Sequence, residues 1–228
     1  MTAPHPLDAS ALVTPVPSPG VERTPLSELL WGLRWSDLLP LDLGGGSSVR
    51  TSSLAAAMPF VREHYAQIFE DDGSSPFRND VLTPMKARYY ELCADFFEFV
   101  HGEKTVGLLV CDPLDWSTYY IRSAAVLPEH QGRALVQRFL SLCLFDELTR
   151  AGVSRVEFDV SPMNLAMLHI ATRMRMNPTG TVLTERWGAM TRFTRFLSAE
   201  AHQVFLEQFC SGVNYQQRLS QRREAAQG

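Results

Sequence analysis

The stretch Ala125-Val126-Leu127-Pro128-Glu129-His130-Gln131-Gly132-Arg133-Ala134-Leu135-Val136 decides how this chain is read. An extended apolar segment stops at a proline, turns through one glycine, and opens a run with helical periodicity. Leu127 precedes Pro128, which disfavours the helical region for it and keeps it extended. Gly132 lets the backbone approach a ligand with no Cβ in the way. Leu135, Phe139 and Leu142, with Val136, Leu140 and Cys143, recur every three or four residues, so they predict a helix whose first turn is pinned against a core. Its amino end offers unpaired N–H groups and a partial positive charge, which suit a phosphate or pyrophosphate. Arg133 and Arg138 are placed to add charge-assisted bonds. The alternative is an ordinary strand-to-helix connection that binds nothing.

Working outward, the chain before this turn changes period. Thr118 to Val126 is predicted as a strand, preceded by a hairpin whose arms are Phe96 to Val100 and Thr105 to Val110, around His101-Gly102-Glu103-Lys104. Two helices come earlier: one capped by Ser53 and running to about Phe69, and one opened by the pair Thr83-Pro84. Asp71 to Pro76 separates them as a turn. Beyond the central helix, Ser154 to Val160 alternates polar and apolar residues as a strand, and Asn164 to about Met174 is a helix. Gly180 to Arg186 and Ala189 to Leu197 are closing strands, and Ser198 caps a last helix with Val204, Phe205 and Phe209 on its apolar side.

The quoted stretch resembles motif A of the GNAT superfamily of N-acyltransferases, a V-x-P-x-x-R/Q-G-x-G-x-G/A pattern. Val126, Pro128, Gln131 and Gly132 fit; Ala134 stands at the second glycine and Val136 at the final small residue. The order helix, helix, three strands, helix, strand, helix, two strands from about residue 53 to 197 is also the order of that superfamily, allowing for an absent or divergent first strand. The resemblance implies an α/β fold with a mixed, mostly antiparallel central sheet flanked by helices. It further implies that the strand before the motif and the next one splay apart around the pantetheine arm of acyl-CoA, at Ala124 to Leu127. Val126, Leu127, Gln131, Gly132, Arg133, Ala134, Leu135 and Val136 would then hold the donor. Asp159 followed by Asn164 resembles a second family element, D/N-x-x-x-x-N, which adds Asn164 to the donor site.

Composition sets the outer limits. The 228 residues are 45% hydrophobic and carry a formal net charge of -4, enough for one substantial domain and without the basic excess of a general nucleic-acid binder. Met1 to Thr24 is rich in proline and poor in large apolar residues, so a flexible tail is expected. Leu26 to Leu41 is strongly apolar and needs a cover: the same domain, a second copy in a homodimer, or a carrier protein. Gly44 to Ser48 reads as a linker. The resulting division is an extension over 1–50, an acyltransferase-like domain over 51–197, and a carboxy-terminal helix and polar tail over 198–228. Cys93, Cys111, Cys143 and Cys210 show no C-x-x-C spacing, as expected of reduced thiols in a cytoplasmic protein. No run reaches the roughly 18 apolar residues of a membrane span, and the histidines show no metal-ligand spacing.

Direct attack of an amine on a thioester requires proximity, loss of a proton from the ammonium, and support for the developing oxyanion. Glu98 and Asp159 are the candidate bases, each with a structural role as its alternative. Many relatives place an acidic tyrosine seven residues after the asparagine; Ala171 stands there, and Arg175 and Met176 replace the glycine and aromatic that follow. Tyr119, Tyr120 or His169 are the remaining candidate acids, His169 doubling as a core histidine. Met163, Met167, Met174, Met176 and Met190 gather in the second half, where flexible thioethers suit either core packing or a long acyl chain. Three readings stay open. They are transfer from acyl-CoA to a small amine, transfer of a medium or long chain from CoA or an acyl carrier protein to an amino acid or peptide amine, and a non-catalytic binding module.

Overall fold

The computed structural model describes residues 24–69, 83–184 and 187–207. The proline-rich tail before residue 24, the Asp71 to Pro76 turn, Arg186, Phe209, Cys210 and the polar end lie outside those residues. Two short helices, α1 (Leu26–Trp31) and α2 (Trp35–Leu38), lead into strands β1 (Leu41–Gly44) and β2 (Ser47–Ser52). Helices α3 (Leu54–Ile68) and α4 (Pro84–Cys93) follow, then strands β3 (Asp95–His101), β4 (Lys104–Pro113) and β5 (Thr118–Val126). After the quoted turn come α5 (Leu135–Phe139), a π-helical turn over Leu140–Leu144, and α6 (Phe145–Arg150). The chain closes with β6 (Arg155–Val160), α7 (Leu165–Arg173), β7 (Asn177–Thr184), β8 (Gly188–Phe196) and α8 (Ala199–Phe205).

The strands form one mixed sheet in the order β1-β2-β3-β4-β5-β6-β8-β7. Only β5 and β6 run parallel; every other neighbouring pair is antiparallel. The expected caps are in place: Ser53 Oγ accepts from Ala56 N, and Thr83 Oγ1 from Lys86 N. Ser198 Oγ likewise accepts from Ala201 N.

Side chains alternate across the sheet and divide it into two faces. Phe97 and Phe99 of β3 meet Phe139 of α5 at centroid distances of 5.0 and 6.2 Å, while Trp35 of α2 stands edge-on to Phe97 at 5.1 Å. This is the α5 face. On the other, the α3 face, Tyr65 of α3 bonds Ser123 of β5 at 3.2 Å.

Two expectations need correction, and one open alternative, the cover of the apolar arm, is resolved. Gly44 to Ser48 is not a linker: Gly44, Gly45 and Gly46 all have positive φ and turn β1 into β2, which pairs with β3 along its whole length. The apolar arm packs on its own domain, with Leu33, Trp35 and Leu39 buried. The central helix is interrupted. Its π turn inserts a residue and shifts the helical phase, so Leu142 is exposed while Leu140, Cys143, Leu144 and Phe145 are buried.

The arm is fixed by a buried carboxylate. Asp95 opens β3 and accepts hydrogen bonds from Ser27 Oγ (2.8 Å), Trp35 Nε1 (3.1 Å) and Tyr119 Oη (2.7 Å). Burial pushes its carboxyl up to about 6, against the pull of those donors.

Candidate functional site

The site begins with an irregularity in β5. Val110 and Cys111 are consecutive on β4, yet they face Ser123 and Ile121, leaving Arg122 as an extra residue. Such a bulge bends its strand and sharpens its twist. Pairing with β6 runs only through Thr118↔Arg155, Tyr119↔Val156 and Tyr120↔Glu157, and stops at Tyr120, two residues before the bulged Arg122. From Ile121 to Val126 the β6-facing edge of β5 has no sheet partner among the described residues, so the two strands part there and leave a cleft between them. Ala124 to Leu127, where a splay was expected, lie beyond the last β5–β6 pair.

The turn above the cleft is more elaborate than one glycine. Leu127 is extended and anchored by its N–H to Val106 O at 2.9 Å, and Pro128–His130 forms a 3-10 turn. Gln131 closes back through Nε2 onto Val126 O at 3.0 Å. Gly132 has φ +76° and Ala134, the cap of α5, has φ +57°. Ala134 thus takes a left-handed conformation that favours glycine. Arg138 N reaches Ala134 O at 2.8 Å; among the described residues the amides from Gly132 to Gln137 have no backbone acceptor. Leu135 and Val136 are buried and hold this donor-rich loop against the core.

Of the two arginines expected near a phosphate, only Arg133 fits. It is exposed, with Nη1 3.4 Å from His101 Nε2, and His101 Nδ1 is 2.9 Å from Ser47 Oγ. Arg138 instead donates to Leu43 O of β1 and braces the hairpin. Asn164 caps α7, its Oδ1 accepting from Met167 N at 3.1 Å. The left-handed conformation recurs at Arg175, φ +54°, where the family pattern ends its second element in glycine.

The candidate catalytic residues fall into two groups on the α3 face. Tyr120 and Asp159 come together where β5 and β6 part: Tyr120 Oη donates to Asp159 Oδ2 at 2.9 Å. Arg192 of β8 grips the same carboxylate through Nε (2.8 Å) and Nη2 (2.9 Å) and lies 3.4 Å from Glu157 through Nη1. Burial, then the Asp159 charge, push the Tyr120 phenol well above its ordinary value, so it stays a hydrogen-bond donor. Glu98 lies apart, on β3. Its oxygens accept from Arg50 (3.0 and 2.7 Å), Ser52 (2.6 Å) and Thr105 (3.3 Å). Beside it is an open depression of about 510 Å³ lined by Arg50, Ser52, Ser53 and Ala56 among others.

The remaining candidates separate. Tyr119 is buried on the α5 face against Asp95, Ala171 is buried, and His169 is exposed rather than a core histidine. The methionines differ in setting: Met174 and Met176 are buried in the core with Met167 packed against it, while Met163 is 87% exposed. Sequence reasoning missed Asp112, Arg122 and Arg192. Asp112 and Arg122 form a two-bond pair at 2.8 Å each. Their register depends on the bulge, which no periodicity in the sequence marks. Among the described residues no cluster of histidine, cysteine, aspartate or glutamate is arranged to hold a metal ion, and no helix is long and apolar enough to cross a membrane.

Comparison with known proteins bears on the family and the fold. The acetyltransferase (GNAT) family profile matches residues 59–175. A putative acetyltransferase from Salmonella typhimurium, solved with its cofactor acetyl-CoA, superimposes with a TM-score of 0.53 at 18% identity, covering 68% of this chain and 96% of that one. The ribosomal-protein-S5-alanine acetyltransferase of Vibrio fischeri gives 0.53 at 13% identity, over 71% and 98%. A mutant spermidine N-acetyltransferase from Vibrio cholerae gives 0.52 at 12% identity, over 71% and 99%. No curated protein sequence matches the chain.

Proposed function

The chain belongs to the acetyltransferase (GNAT) family, and from that premise we propose that it transfers a short acyl group, acetyl, from CoA to the amine of a small acceptor. The observation that carries this reading is the opening of β5 from β6 after Tyr120, below a turn whose amides from Gly132 to Gln137 find no backbone acceptor. The free edge of β5 suits a pantetheine arm, and the turn with Arg133 suits a pyrophosphate. A short chain is favoured by the scatter of the methionines, with Met174 and Met176 buried in the core and Met163 87% exposed. The reduced thiols Cys93, Cys111 and Cys143 fit a cytoplasmic setting as part of the same proposal.

In the reaction the amine nitrogen attacks the thioester carbonyl, the N–C bond forms, the C–S bond breaks, and CoA leaves as a thiolate. A thiol with a pKa of about 8.5 leaves without obligatory protonation. The protein's share is therefore mainly positioning. Tyr120 donates to Asp159, so its own oxygen remains an acceptor that can orient the incoming ammonium. Both oxygens of Asp159 already accept from Tyr120 and Arg192, which makes that carboxylate a holder of charge, while the ammonium proton leaves through water in the open cleft. Glu98, two strands away from β5 and enclosed by Arg50, Ser52 and Thr105, stays outside the reaction.

Calorimetric titration with acetyl-CoA tests the donor site. Micromolar binding is expected, weakened about tenfold in Arg133→Glu, where an exposed carboxylate replaces a phosphate partner. Absence of binding to the unaltered protein would overturn the donor reading.

A further inference from the structure

The α3 face at the mouth of the cleft is unusual in what it leaves unpaired. Three carboxylates of the sheet there are committed. Asp112 accepts from Arg122 on both oxygens, Asp159 from Arg192 and Tyr120, and Glu157 from Arg155 at 3.0 Å and Thr194 at 3.3 Å while facing Arg192. A polycationic acceptor would find no free carboxylate among these. Two of the arginines are equally committed: Arg192 bridges Asp159 and Glu157, and Arg155 bridges Glu157 and Asp115. Arg50 lies on β2, three strands from β5.

Arg122 differs from all of these. It is the extra residue of the bulge, so it shares the α3 face with its neighbour Ser123 instead of alternating with it. Asp112, whose side chain is 1% exposed, takes the Nε and Nη2 hydrogens at 2.8 Å and fixes the plane of the guanidinium. The rings of Tyr120 and Tyr90 lie 5.6 and 6.0 Å from the guanidinium carbon. The side chain is nonetheless 34% exposed, and its Nη1 has no partner among the described residues. A guanidinium held along its Nε–Nη2 edge keeps its Nη1–Nη2 edge for a second planar anion, the geometry that carboxylates match. This edge stands two residues past Tyr120, at the point where the cleft opens.

We propose that Arg122, oriented by Asp112, anchors a carboxylate of the acceptor, so that the substrate is an amine bearing a nearby carboxylate, an amino acid or a close analogue. This rests on the acyltransferase reading given above. Arg122 is here a specificity residue that touches the acceptor, and Asp112 is its positioning residue.

The test measures CoA release from acetyl-CoA with a panel of free amino acids, each set beside its own carboxamide. At least one acid is expected to exceed its amide in kcat/KM by about 10- to 100-fold, since a hydrogen-bonded charge pair is lost in the amide. Arg122→Lys keeps the charge over Asp112 but loses the fork, and should raise KM for the acid about tenfold and so narrow the acid-to-amide ratio in kcat/KM. A paired variant, Asp112→Asn with Arg122→Gln, should abolish the discrimination without burying a lone charge. Equal rates for acids and amides, preference for the amides, or no turnover of any carboxylate-bearing amine overturns the assignment. Calorimetry with acetyl-CoA on the unaltered protein separates the two readings: intact donor binding with no acid preference sinks only the acceptor inference, whereas absent donor binding sinks the donor site beneath it.

Discussion

The two faces of the sheet hold their carboxylates by opposite means. On the α5 face Asp95 is surrounded by neutral donors, the Ser27 and Tyr119 hydroxyls and the Trp35 indole. On the α3 face Glu98, Asp112, Glu157 and Asp159 each meet a guanidinium. Neutral donors satisfy hydrogen bonds without cancelling charge, so burial still lifts the Asp95 carboxyl to about 6. Arginines cancel charge and fix geometry together. The first arrangement makes a lock that joins the amino-terminal arm to the core. The second makes a rigid polar floor along the α3 face.

The sharpest way to break this contrast is Asp95→Ala. It strands the hydroxyls of Ser27 and Tyr119 and the indole N–H of Trp35, all on buried residues. Each unsatisfied buried donor costs about 1 kcal/mol or more, so a loss of about 3 kcal/mol is expected. Denaturant unfolding measures it, with the arm's tryptophans, Trp31 and Trp35, as the fluorescent reporters. A loss below 1 kcal/mol would mean that water replaces the carboxylate and that the arm is held by apolar packing alone.

Titration of stability gives a second, somewhat smaller effect. The folded Asp95 carboxyl, at about 6, lies above its ordinary value of 3.8, so between those values the folded state binds more protons than the unfolded one. By linkage this group's contribution falls as pH rises from about 4 to about 6, and stays constant above that range. The expected size is of the order of 2 kcal/mol. Stability measured at pH 4, 5, 6 and 7 in the unaltered protein and in Asp95→Ala isolates the contribution: relative to the variant, the unaltered protein should weaken across the acidic range. Parallel curves would show that the lock is no more pH-sensitive than the rest of the fold.

Much of the architecture was legible because apolar periodicity and caps are local. Ser53, Thr83 and Ser198 cap where expected, and the strands from Asp95 to Val126 follow from alternation and the turn at Gly102. The first hairpin was hidden for a physical reason. Of the β2 sequence Ser47-Ser48-Val49-Arg50-Thr51-Ser52 only Val49 is apolar, because Arg50 and Ser52 serve the Glu98 carboxylate. A strand that faces a polar floor looks like a loop, and three glycines before it look like a linker. Asp95 and its partners lie 68, 60 and 24 residues apart in the chain, beyond any local pattern. At the cleft, the quoted turn was readable as a candidate donor turn, whereas the Arg122–Asp112 pair was not. Its placement depends on a bulge that shifts the register by one residue.

The same contrast between satisfying a requirement and merely tolerating it extends to the backbone on the two sides of the cleft. Ala134, before α5, and Arg175, after α7, are the only non-glycine residues with positive φ among the described ones, at +57° and +54°. Both stand where the family pattern has glycine, so the conformation is kept while the residue that adopts it freely is not. A left-handed residue with a side chain costs roughly 1 kcal/mol or more relative to an unstrained one, and glycine returns some of that in greater freedom of the unfolded chain. Ala134→Gly and Arg175→Gly should therefore each stabilise the fold by up to about 1 kcal/mol. Their effects on donor binding should differ. Ala134 lies between the unpaired amides of the turn, so its glycine variant should change acetyl-CoA affinity measurably, whereas Arg175→Gly, beyond the far end of α7, should leave it alone. If both changed affinity equally, the turn before α5 would be no more a donor site than the turn after α7, and the assignment of the cradle would lose its local basis.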